Sequence, residues 1–568
     1  MRNGVGCLEP ADAARAADRT QAGVAWPALA RAGWAAVSTL APRHWVRGLR
    51  QAWAKLPGLQ GRVPDAPTLP VRDLWPGDPT RGARLVKGEL ERGGSVRPLL
   101  PGGWGSIGGA PPLRAYAHGF TWLRDLRALG TDAARLRARA LVGEWMAGPI
   151  AEPIASQPDV IGARIAAWLG HYDFFAASAD DAFRQKLMTR LVGDTRSLAA
   201  ALPTEAQDAR ALTALKGLVA AAAALPEQAA VLTRALRFLP QEVTRQVLPD
   251  GGHIERSPAA QLVALQELTE IRALLQAAQT QPPATLGPAI ERLAAGLRAL
   301  RHGDGGLALF NGSKEEAGNL IDLVLSQAGR GGRAGADLRE SGFHRLQAGK
   351  SLMIVDCGAP PPPGADRTAH AGTLSFELSI GRERLVVNCG GAPAAGGAWR
   401  DATRATAAHS TLIIADVSSS ELRPEGLGRR PEKVEAQRQE ANGAHWLEAS
   451  HDGWRKPFGA IHRRRLYLAE SGEDIRGEDM VEAASGQPFT LRFHLHPNVS
   501  ASLQQSGAAV LLRLASGAGW QLRADGGTLG LEESIYLGGA EPRRSEQAVL
   551  TCHADGPQTV KWAITLVR

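Results

Sequence analysis

The chain has 568 residues, with 65 Lys and Arg against 57 Asp and Glu, which gives a formal net charge of +8. Hydrophobic residues make up 44% and charged residues 21%, a composition typical of a globular protein with room for two or three domains. No run approaches the roughly 18 apolar residues of a membrane span, and no nucleic-acid-binding signature is present. The sequence therefore predicts neither a transmembrane protein nor a nucleic-acid partner. The basic balance either favours an anionic partner or reflects a solvated, arginine-rich surface.

The cysteines and the N-terminus carry little further information. Cys7, Cys357, Cys389 and Cys552 are widely spaced, so neither a zinc ribbon nor a disulfide scaffold is expected. Cys357 and Cys389 stand in apolar, strand-like runs and are expected to be buried thiols. Residues 1–10 lack a basic segment followed by an apolar core, so no secretory signal is predicted.

The first half of the chain has a helical pattern. Residues 1–110 form an irregular segment with short helical pieces and Trp-rich turns, and a helical domain is expected over 111–330. Apolar residues spaced three and four apart predict helices near 119–146, 157–177, 179–200, 204–223, 226–247, 257–278 and 285–301. Thr204-Glu205-Ala206-Gln207 has the form of a capping box, and Ser257-Pro258 places a capping Ser before a first-turn Pro. Short polar links between these helices predict antiparallel pairs.

The second half has a strand pattern. The helical spacing breaks near residues 301–306, and from about Ser341 the period becomes two. Leu374, Phe376, Leu378 and Ile380, for example, alternate with polar residues. About a dozen such runs between Gly, Asp and Pro turns predict an antiparallel β-sandwich over 341–568. Nine of the 14 histidines lie after residue 340, several of them in these runs. Chemistry is therefore expected near the junction of the two domains, where ligand sites often lie.

Four stretches together resemble the heparinase II/III-like polysaccharide lyases, and the resemblance covers most of the chain. They are Asp250-Gly251-Gly252-His253-Ile254-Glu255-Arg256-Ser257-Pro258, the run around His370 and Leu374-Ser375-Phe376, Leu385-Val386-Val387-Asn388-Cys389-Gly390, and Ala408-His409-Ser410-Thr411. The resemblance implies a multidomain α-then-β fold, with an N-terminal α/α toroid (an incomplete helical barrel) followed by an antiparallel β-sandwich.

The resemblance also implies an activity. Lyases of this family cleave polysaccharides that contain uronic acid, such as glycosaminoglycans or alginate, by β-elimination. A base removes the proton next to the sugar carboxylate, and an acid protonates the departing oxygen. This chain departs from the family pattern at two places: Ala259-Ala260-Gln261 stands where active relatives carry Tyr, and Thr368 stands where they carry His. We therefore expect weak or absent elimination by the usual route, with binding of acidic glycans retained.

The site residues that the resemblance implies fall into two groups. His171, Tyr172, His253 and Glu255 are the catalytic candidates, and His171 matches a position where relatives carry Asn-His, with Gly170 in place of the Asn. Packing of His171 against its aromatic neighbour and helix capping by the Asp250 turn are the structural alternatives. The substrate-binding candidates are Arg256 and His451 and, because the strand alternation places them on one face of a strand, Arg492 and His494. Arg256 suits a carboxylate because its guanidinium can bind it bidentately. For Arg492 and His494, a polar sheet face under a loop is the alternative.

A structural zinc site is a further expectation from the resemblance. Its ligands would be His370, Asn388 and His409, at positions where relatives carry His, Asp and His. Asn is a poor substitute for Asp because it lacks the charge. Strand alternation turns Cys389 away from the face of Asn388. The alternative is a His–Asn–His hydrogen-bond network inside the sandwich.

The sequence thus leaves three functional hypotheses. The first is a heparinase II/III-like lyase that acts on an acidic polysaccharide or oligosaccharide. The second is a non-catalytic protein that binds acidic glycans or assists envelope assembly. The third is a glycoside hydrolase, for which Asp173 and Glu255 would be the carboxylate pair. The resemblance implies a location in the cell envelope or periplasm, whereas the lack of a visible signal leaves the cytoplasm open.

Overall fold

The structure is a computed structural model that describes residues 63–567 except 101, 149–151, 227, 330–336, 393–396, 483–485 and 555. The described residues belong to one compact unit that begins at Val63. Its first half is helical apart from the hairpin of β1 (Glu89–Arg92) and β2 (Ser95–Pro98). The helices are α1 Pro79–Val86, α2 Pro111–Gly119, α3 Leu123–Leu129, α4 Asp132–Ala147, α5 Pro158–Gly170, α6 Tyr172–Phe175, α7 Asp181–Ala201, α8 Arg210–Ala224, α9 Ala229–Gln246, α10 Pro258–Ala277, α11 Leu286–Ala299 and α12 Gly318–Ala328.

The inner helices α5, α8 and α10 run parallel to one another. Two glycines bring α5 and α8 together, since a Cβ on Gly217 would lie 2.3 Å from Cα of Gly162. Helices α8 and α10 meet at successive turns, where Thr213 contacts Glu267 and Lys216 contacts Glu270. The intervening α7 and α9 return the chain on the outside, as expected for an α/α toroid. Leucine, alanine and tryptophan side chains fill the space between the two layers.

The helix starts show where local sequence signals succeed and where they fail. Ser257 caps α10, its hydroxyl accepting a hydrogen bond from Ala260 N, and Pro258 is the first helical residue, as predicted. The capping box expected at Thr204 was wrong. The Thr204 hydroxyl donates instead to Ala206 O, and α8 begins only at Arg210.

The second half is built of antiparallel strands in two large sheets. One sheet has the order β11-β12-β13-β14-β21-β18-β17-β16, and the other has the order β19-β20-β15-β7-β6-β5-β4-β3 with β8 against β15. Two short helices, α13 Gly397–Arg404 and α14 Arg455–Phe458, interrupt the strands. The strands are β3 Asp337–Leu338, β4 Phe343–Ala348, β5 Ser351–Asp356, β6 Phe376–Ile380, β7 Glu383–Val387, β8 Leu412–Ile414, β9 Leu422–Arg423, β10 Gly426–Leu427, β11 Val434–Ala441, β12 Ala444–Trp454, β13 Ala460–Leu468, β14 Asp474–Glu482, β15 Gln487–Leu495, β16 Ser500–Gln504, β17 Ala509–Arg513, β18 Gly519–Asp525, β19 Thr528–Tyr536, β20 Arg543–Ala554 and β21 Gln558–Leu566.

The two sheets share one apolar core, in which Phe376 of β6 stacks on Trp562 of β21 at 5.5 Å between ring centroids. The predicted alternation in β6 is correct for this face. The opposite face is not solvated, because Glu377 is buried against His302 and accepts a hydrogen bond from Leu309 N. The helical domain and its connecting segment therefore cover the outer face of this sheet. Among the residues the structure describes, no helix is long and apolar enough to cross a membrane.

Candidate functional site

The N-terminal ends of α5, α8 and α10 face the sandwich loop of residues 357–375, and we call this region the junction. Gln207, just before α8, lies close enough to the loop that a Cβ on Gly364 would come within 3.0 Å of its amide oxygen. Asp208 of the same segment is 3.8 Å from the Nε of Arg367. Arg210 and Arg367 also act electrostatically on Asp159 at the start of α5. Side chains of both domains therefore share this space.

The turn that begins at Asp250 delivers three of the predicted site residues to the junction. Gly251 has φ +87°, and a Cβ there would collide with the backbone of Arg292 at 2.2 Å, so only glycine fits. The Asp250 carboxylate accepts hydrogen bonds from Gly252 N and, across the domain boundary, from the Ser341 amide and hydroxyl at 2.8 and 3.0 Å. These bonds fix the path of the following His253, Glu255 and Arg256.

His253 and Glu255 are both buried and already have protein partners. His253 shares a hydrogen bond of 3.1 Å with the amide oxygen of Gln246, and burial lowers its pKa to about 4. The Glu255 carboxylate accepts a hydrogen bond of 2.9 Å from Ala209 N at the start of α8. Burial, reinforced by the nearby Asp208 carboxylate, raises the pKa of Glu255 to about 7. Glu255 therefore titrates near neutral pH, whereas His253 is neutral there.

Two arginines lie at the junction, beside the carboxyl groups of Asp159, Asp208 and Glu255. Arg210 holds Asp208 with its Nε at 2.9 Å from both carboxylate oxygens. Arg367 approaches the same carboxylate only at 3.8 Å, and its Nε donates no hydrogen bond within the described part of the chain. The Arg367 side chain is 34% exposed, so solvent or a ligand can reach it. Sequence reasoning missed Asp208, Arg210 and Arg367. Their signals were an acidic residue directly before a helix and an arginine after a proline-rich loop.

Arg256 joins the helical domain to the sandwich. Its Nη2 forms an ion pair with Asp356, its Nε donates to Ser341 O at 2.6 Å, and its guanidinium lies 4.8 Å from the centre of the Phe343 ring. The side chains of Arg256 and Asp356 are only 7% and 6% exposed. Every one of these contacts is to the sandwich, so in this conformation the guanidinium does not point into solvent. A role in substrate binding stays a prediction.

His171 and Tyr172 lie at the other end of α5, away from the junction. His171 follows the last residue of α5 and bonds to Asp73, with 3.1 Å between its Nε2 and the carboxylate. About 12 residues at 1.5 Å each separate Asp159 from His171, so the two ends are roughly 18 Å apart along the axis. The structure therefore does not bring His171 together with His253, Glu255 and Arg256. Asp173, which pairs with Arg127 at 2.7 Å, lies at this same distant end and not beside Glu255.

None of the chain's four tyrosines lies at Ala259-Ala260-Gln261, where active relatives carry the catalytic Tyr. Tyr116 bonds to Asp125, and Tyr172 is at the far end of α5. Tyr467 packs against Trp446 on the eight-stranded sheet. Tyr536 is buried and donates its hydroxyl proton to Glu315, and burial holds its pKa far above the usual range. None of the four is placed beside Glu255 as a general base.

His370 and His409 meet as the resemblance predicts, but in loops rather than strands, because β6 begins only at Phe376 and β8 at Leu412. The two rings are joined by a hydrogen bond of 3.0 Å between His370 Nδ1 and His409 Nε2. His409 Nδ1 donates to Ala405 O at 2.8 Å, so its Nε2 is the acceptor. Burial holds the pKa of both histidines low, at about 4 for His409.

The residues present do not fit a structural zinc ion. Asn388 is neutral, and its side-chain oxygen already accepts a hydrogen bond from Ser410 N at 3.0 Å. Cys389 instead lies 3.5 Å from His494 Nδ1. Across the described residues, no three His, Cys, Asp or Glu side chains are grouped to hold a metal. Two imidazoles without an anionic ligand form a weak zinc site. The two histidines bond to each other, but no described hydrogen bond joins Asn388 to either ring, so only the His–His part of the expected hydrogen-bond network is present.

The remaining substrate-binding candidates are engaged elsewhere in the sandwich. His494 is buried, with Nδ1 at 2.8 Å from the Ser534 hydroxyl and Nε2 at 2.9 Å from Ala407 O. Arg492 on the same strand pairs with Glu532 at 3.1 Å. His451 is buried in the core beside Trp454. No described contact joins these three to Asp208, Glu255 or Arg367, and their role in binding stays a prediction.

Comparison with a family model and a curated protein shows relatedness at the sequence level. Residues 330–563 match the model described as heparinase II/III-like, C-terminal. The chain is 32% identical over 582 residues to FtsZ-localized protein C of Caulobacter vibrioides, and the match covers 96% of this chain and 98% of that protein.

Solved structures extend the likeness to the whole fold. A crystal structure of heparinase III aligns with a TM-score of 0.70 at 13% identity, covering 94% of this chain and 91% of that one. A mutant heparan sulfate lyase of Pedobacter heparinus aligns with a TM-score of 0.59 at 13% identity, covering 94% and 90%. At such identities the likeness shows the fold alone, an α/α toroid followed by a β-sandwich.

Proposed function

Because this chain belongs to the heparinase II/III-like family, we propose that it binds an acidic polysaccharide at the junction without cleaving it through a Tyr and His pair. The observation that carries the proposal is the state of Arg367. Its guanidinium is partly exposed, its Nε donates no hydrogen bond to described residues, and the nearest carboxylate is already held by Arg210. A uronate or sulfate group would bind the exposed part of this guanidinium, whereas the Nε itself is buried.

The chemistry around Arg367 supports binding over elimination. Elimination needs a base aligned with the sugar proton and an acid aligned with the leaving oxygen. Ala259 and Ala260 stand in the first turn of α10 where relatives carry the Tyr, and Thr368 occupies the His position. His253 is buried with Gln246 as its partner, so it does not replace them. Arg367 is available to bind a uronate, whereas the Tyr and His that transfer protons in relatives are missing.

A direct test measures binding of defined acidic oligosaccharides to the full chain. Heparan sulfate and alginate oligosaccharides are titrated at low and high salt, with a neutral dextran for comparison. Arg367→Met is expected to weaken binding of the acidic glycans about tenfold or more, because a charge-assisted hydrogen bond contributes about 1.5–3 kcal/mol. Binding is expected to weaken at high salt, because salt screens exposed charges.

Arg339→Met is the matched control. Arg339 is 81% exposed and pairs only loosely with Asp337, at 3.7 Å in the sandwich. Both variants lose one positive charge, so a general effect of net charge would weaken binding equally. Equal affinities of Arg367→Met and the unchanged protein for every acidic glycan would contradict the proposal.

A second candidate function is slow elimination with Glu255 as the base. The observation that favours it is the pKa of Glu255, which burial and Asp208 raise to about 7, the range that suits a general base. The assay follows the ultraviolet absorbance of an unsaturated uronate product. Turnover that is lost in Glu255→Gln while glycan binding persists would establish this activity. Absence of product with every acidic glycan that binds would leave the binding function alone.

The relative in Caulobacter suggests where the protein acts. Because the 32% identity extends over nearly the full length of both chains, we propose that this protein also localises with FtsZ and acts in envelope assembly at the division site. A fluorescent fusion expressed in Caulobacter vibrioides that lacks its own relative is expected to form a band that coincides with FtsZ. Diffuse fluorescence at normal expression would count against this location.

A further inference from the structure

The segment of residues 63–78 crosses the end of the toroid that lies away from the junction. Thr68 bonds to the last residue of α8, its amide and hydroxyl donating to Ala224 O at 2.8 and 3.0 Å. Trp75 donates its indole N–H to Glu270 of α10. Between them, Asp73 lies beside the C-terminal end of α5, with its amide 3.5 Å from where a Cβ on Gly170 would be. The segment therefore touches all three inner helices.

The Asp73 carboxylate is bound by an arginine, a histidine and a backbone N–H, which are groups that also bind carboxylate ligands. Arg124 binds it bidentately, with Nε at 2.9 Å from one oxygen and Nη2 at 3.2 Å from the other. His171 Nε2 is 3.1 Å from the first oxygen, and Trp75 N donates to the second at 3.0 Å. Burial alone would raise the pKa of Asp73, but Arg124 and His171 hold it well below its usual range. Asp73 is therefore ionised, with a partner for each oxygen.

Charged side chains of the inner helices lie near the ion pair of Arg124 and Asp73. A cavity on the toroid axis adjoins the carboxylate and is lined by Ala163 of α5, Lys216 of α8 and Glu270 of α10. Lys216 is already paired with Glu267 at 2.9 Å and with Glu270 at 3.3 Å. The Arg124 side chain is 25% exposed, so the site can be reached from solvent.

We propose that Arg124 and His171 form a carboxylate-binding site that the chain fills with its own Asp73. The external ligand class is a monocarboxylate, such as acetate or the carboxylate of a uronic acid. The segment of residues 63–78 then carries an intramolecular ligand, Asp73, which occupies the site beside the cavity. This site lies roughly 18 Å from the junction along α5, so it stands independently of the proposed glycan site.

The test restores the carboxylate from solution. Asp73→Ala removes it and leaves space beside Arg124 and His171. The melting temperature of this variant is expected to rise by about 1–3 °C in sodium acetate relative to sodium chloride at equal ionic strength. This rise is expected because a ligand at ten times its Kd, bound only to the folded protein, lowers the unfolding equilibrium constant about tenfold. Sodium glucuronate is the second probe and reports whether the cavity admits a sugar acid.

Three controls separate site binding from a general salt effect. The unchanged protein is expected not to respond, because Asp73 fills the site. Asp73→Asn is expected not to respond either, since its amide has the shape of the carboxylate. Asp173→Ala removes a carboxylate from the exposed pair with Arg127, where no enclosed site exists, and is expected not to respond.

The outcomes decide the proposal. An equal rise in all four proteins, or no difference between acetate and chloride for Asp73→Ala, overturns it. If Asp73→Ala does not fold unaided, its refolding yield in acetate against chloride becomes the readout, and equal yields overturn the proposal. A rise with acetate but not glucuronate keeps the site and limits its ligands to small carboxylates.

Discussion

Removal of the Arg256 guanidinium is the sharpest test of how the two domains are joined. In Arg256→Ala, Asp356 keeps its buried position but loses its ion pair, and Ser341 O loses its donor. Both side chains of the pair are less than a tenth exposed, so the remaining carboxylate is not rescued by water. Breaking a buried pair in this way costs about 3–5 kcal/mol of unfolding free energy.

The design uses the double replacement as its control. Arg256→Met combined with Asp356→Leu removes both charges, and such a change is expected to be far less destabilising than Arg256→Ala alone. Urea unfolding followed by tryptophan fluorescence gives the free energies, and glycan titration is run on the same proteins. A free energy of unfolding for Arg256→Ala within about 0.5 kcal/mol of that of the unchanged protein, together with lost glycan binding, would refute the structural role and make Arg256 a substrate ligand.

Three further outcomes are expected. Burial and Asp208 raise the pKa of Glu255 to about 7, so its contribution to stability falls as the pH rises from about 4.5 to 7. The free energy of unfolding of Glu255→Gln, minus that of the unchanged protein, should therefore rise by about 3 kcal/mol over that pH range. A difference that does not change with pH would contradict this pKa. Purified protein from zinc-supplemented cells should contain less than about 0.1 zinc per chain by metal analysis, because two imidazoles without an anionic ligand form a weak zinc site. A good structural site holds zinc tightly, so a stoichiometric zinc content would contradict this expectation. Tyr172→Phe should leave glycan affinity and any uronate product unchanged, because Tyr172 lies at the far end of α5, and a loss of either would place the site at that end.

The features that were predictable depend on neighbours in the sequence, whereas several helix bounds were not predicted, since the run 119–146 spans parts of three helices. Ser257 and Pro258 mark the start of α10, as its capping residue and its first helical residue. The spacing of Phe376 and Leu378 identifies the core face of β6. The failures came from contacts distant in sequence. The alternation identified Glu377 only as one of the polar residues opposite the core face, and it did not show that the connecting segment places His302 over Glu377 and buries it.

The site was less predictable, because its geometry depends on which ends of the helices meet the sandwich. Sequence order alone does not say that the end of α5 that carries His171 faces away from the sandwich while the start of α8 faces it. Nor does it pair Arg256 with Asp356, which stands 100 residues later. Motif resemblance singled out the Asp250 turn, which joins the two domains, but could not tell a residue that links domains from one that contacts a ligand.

The parallel arrangement of α5, α8 and α10 has an electrostatic consequence. Peptide dipoles add along each helix to about half a positive charge at its N-terminus. Three such termini converge on the junction, and the acceptance of the Ala209 N–H by Glu255 shows one of them in use. The fold backbone itself thus creates a positive potential there, whatever side chains are lost. A toroid that has shed its proton-transfer residues would still attract anions at this place.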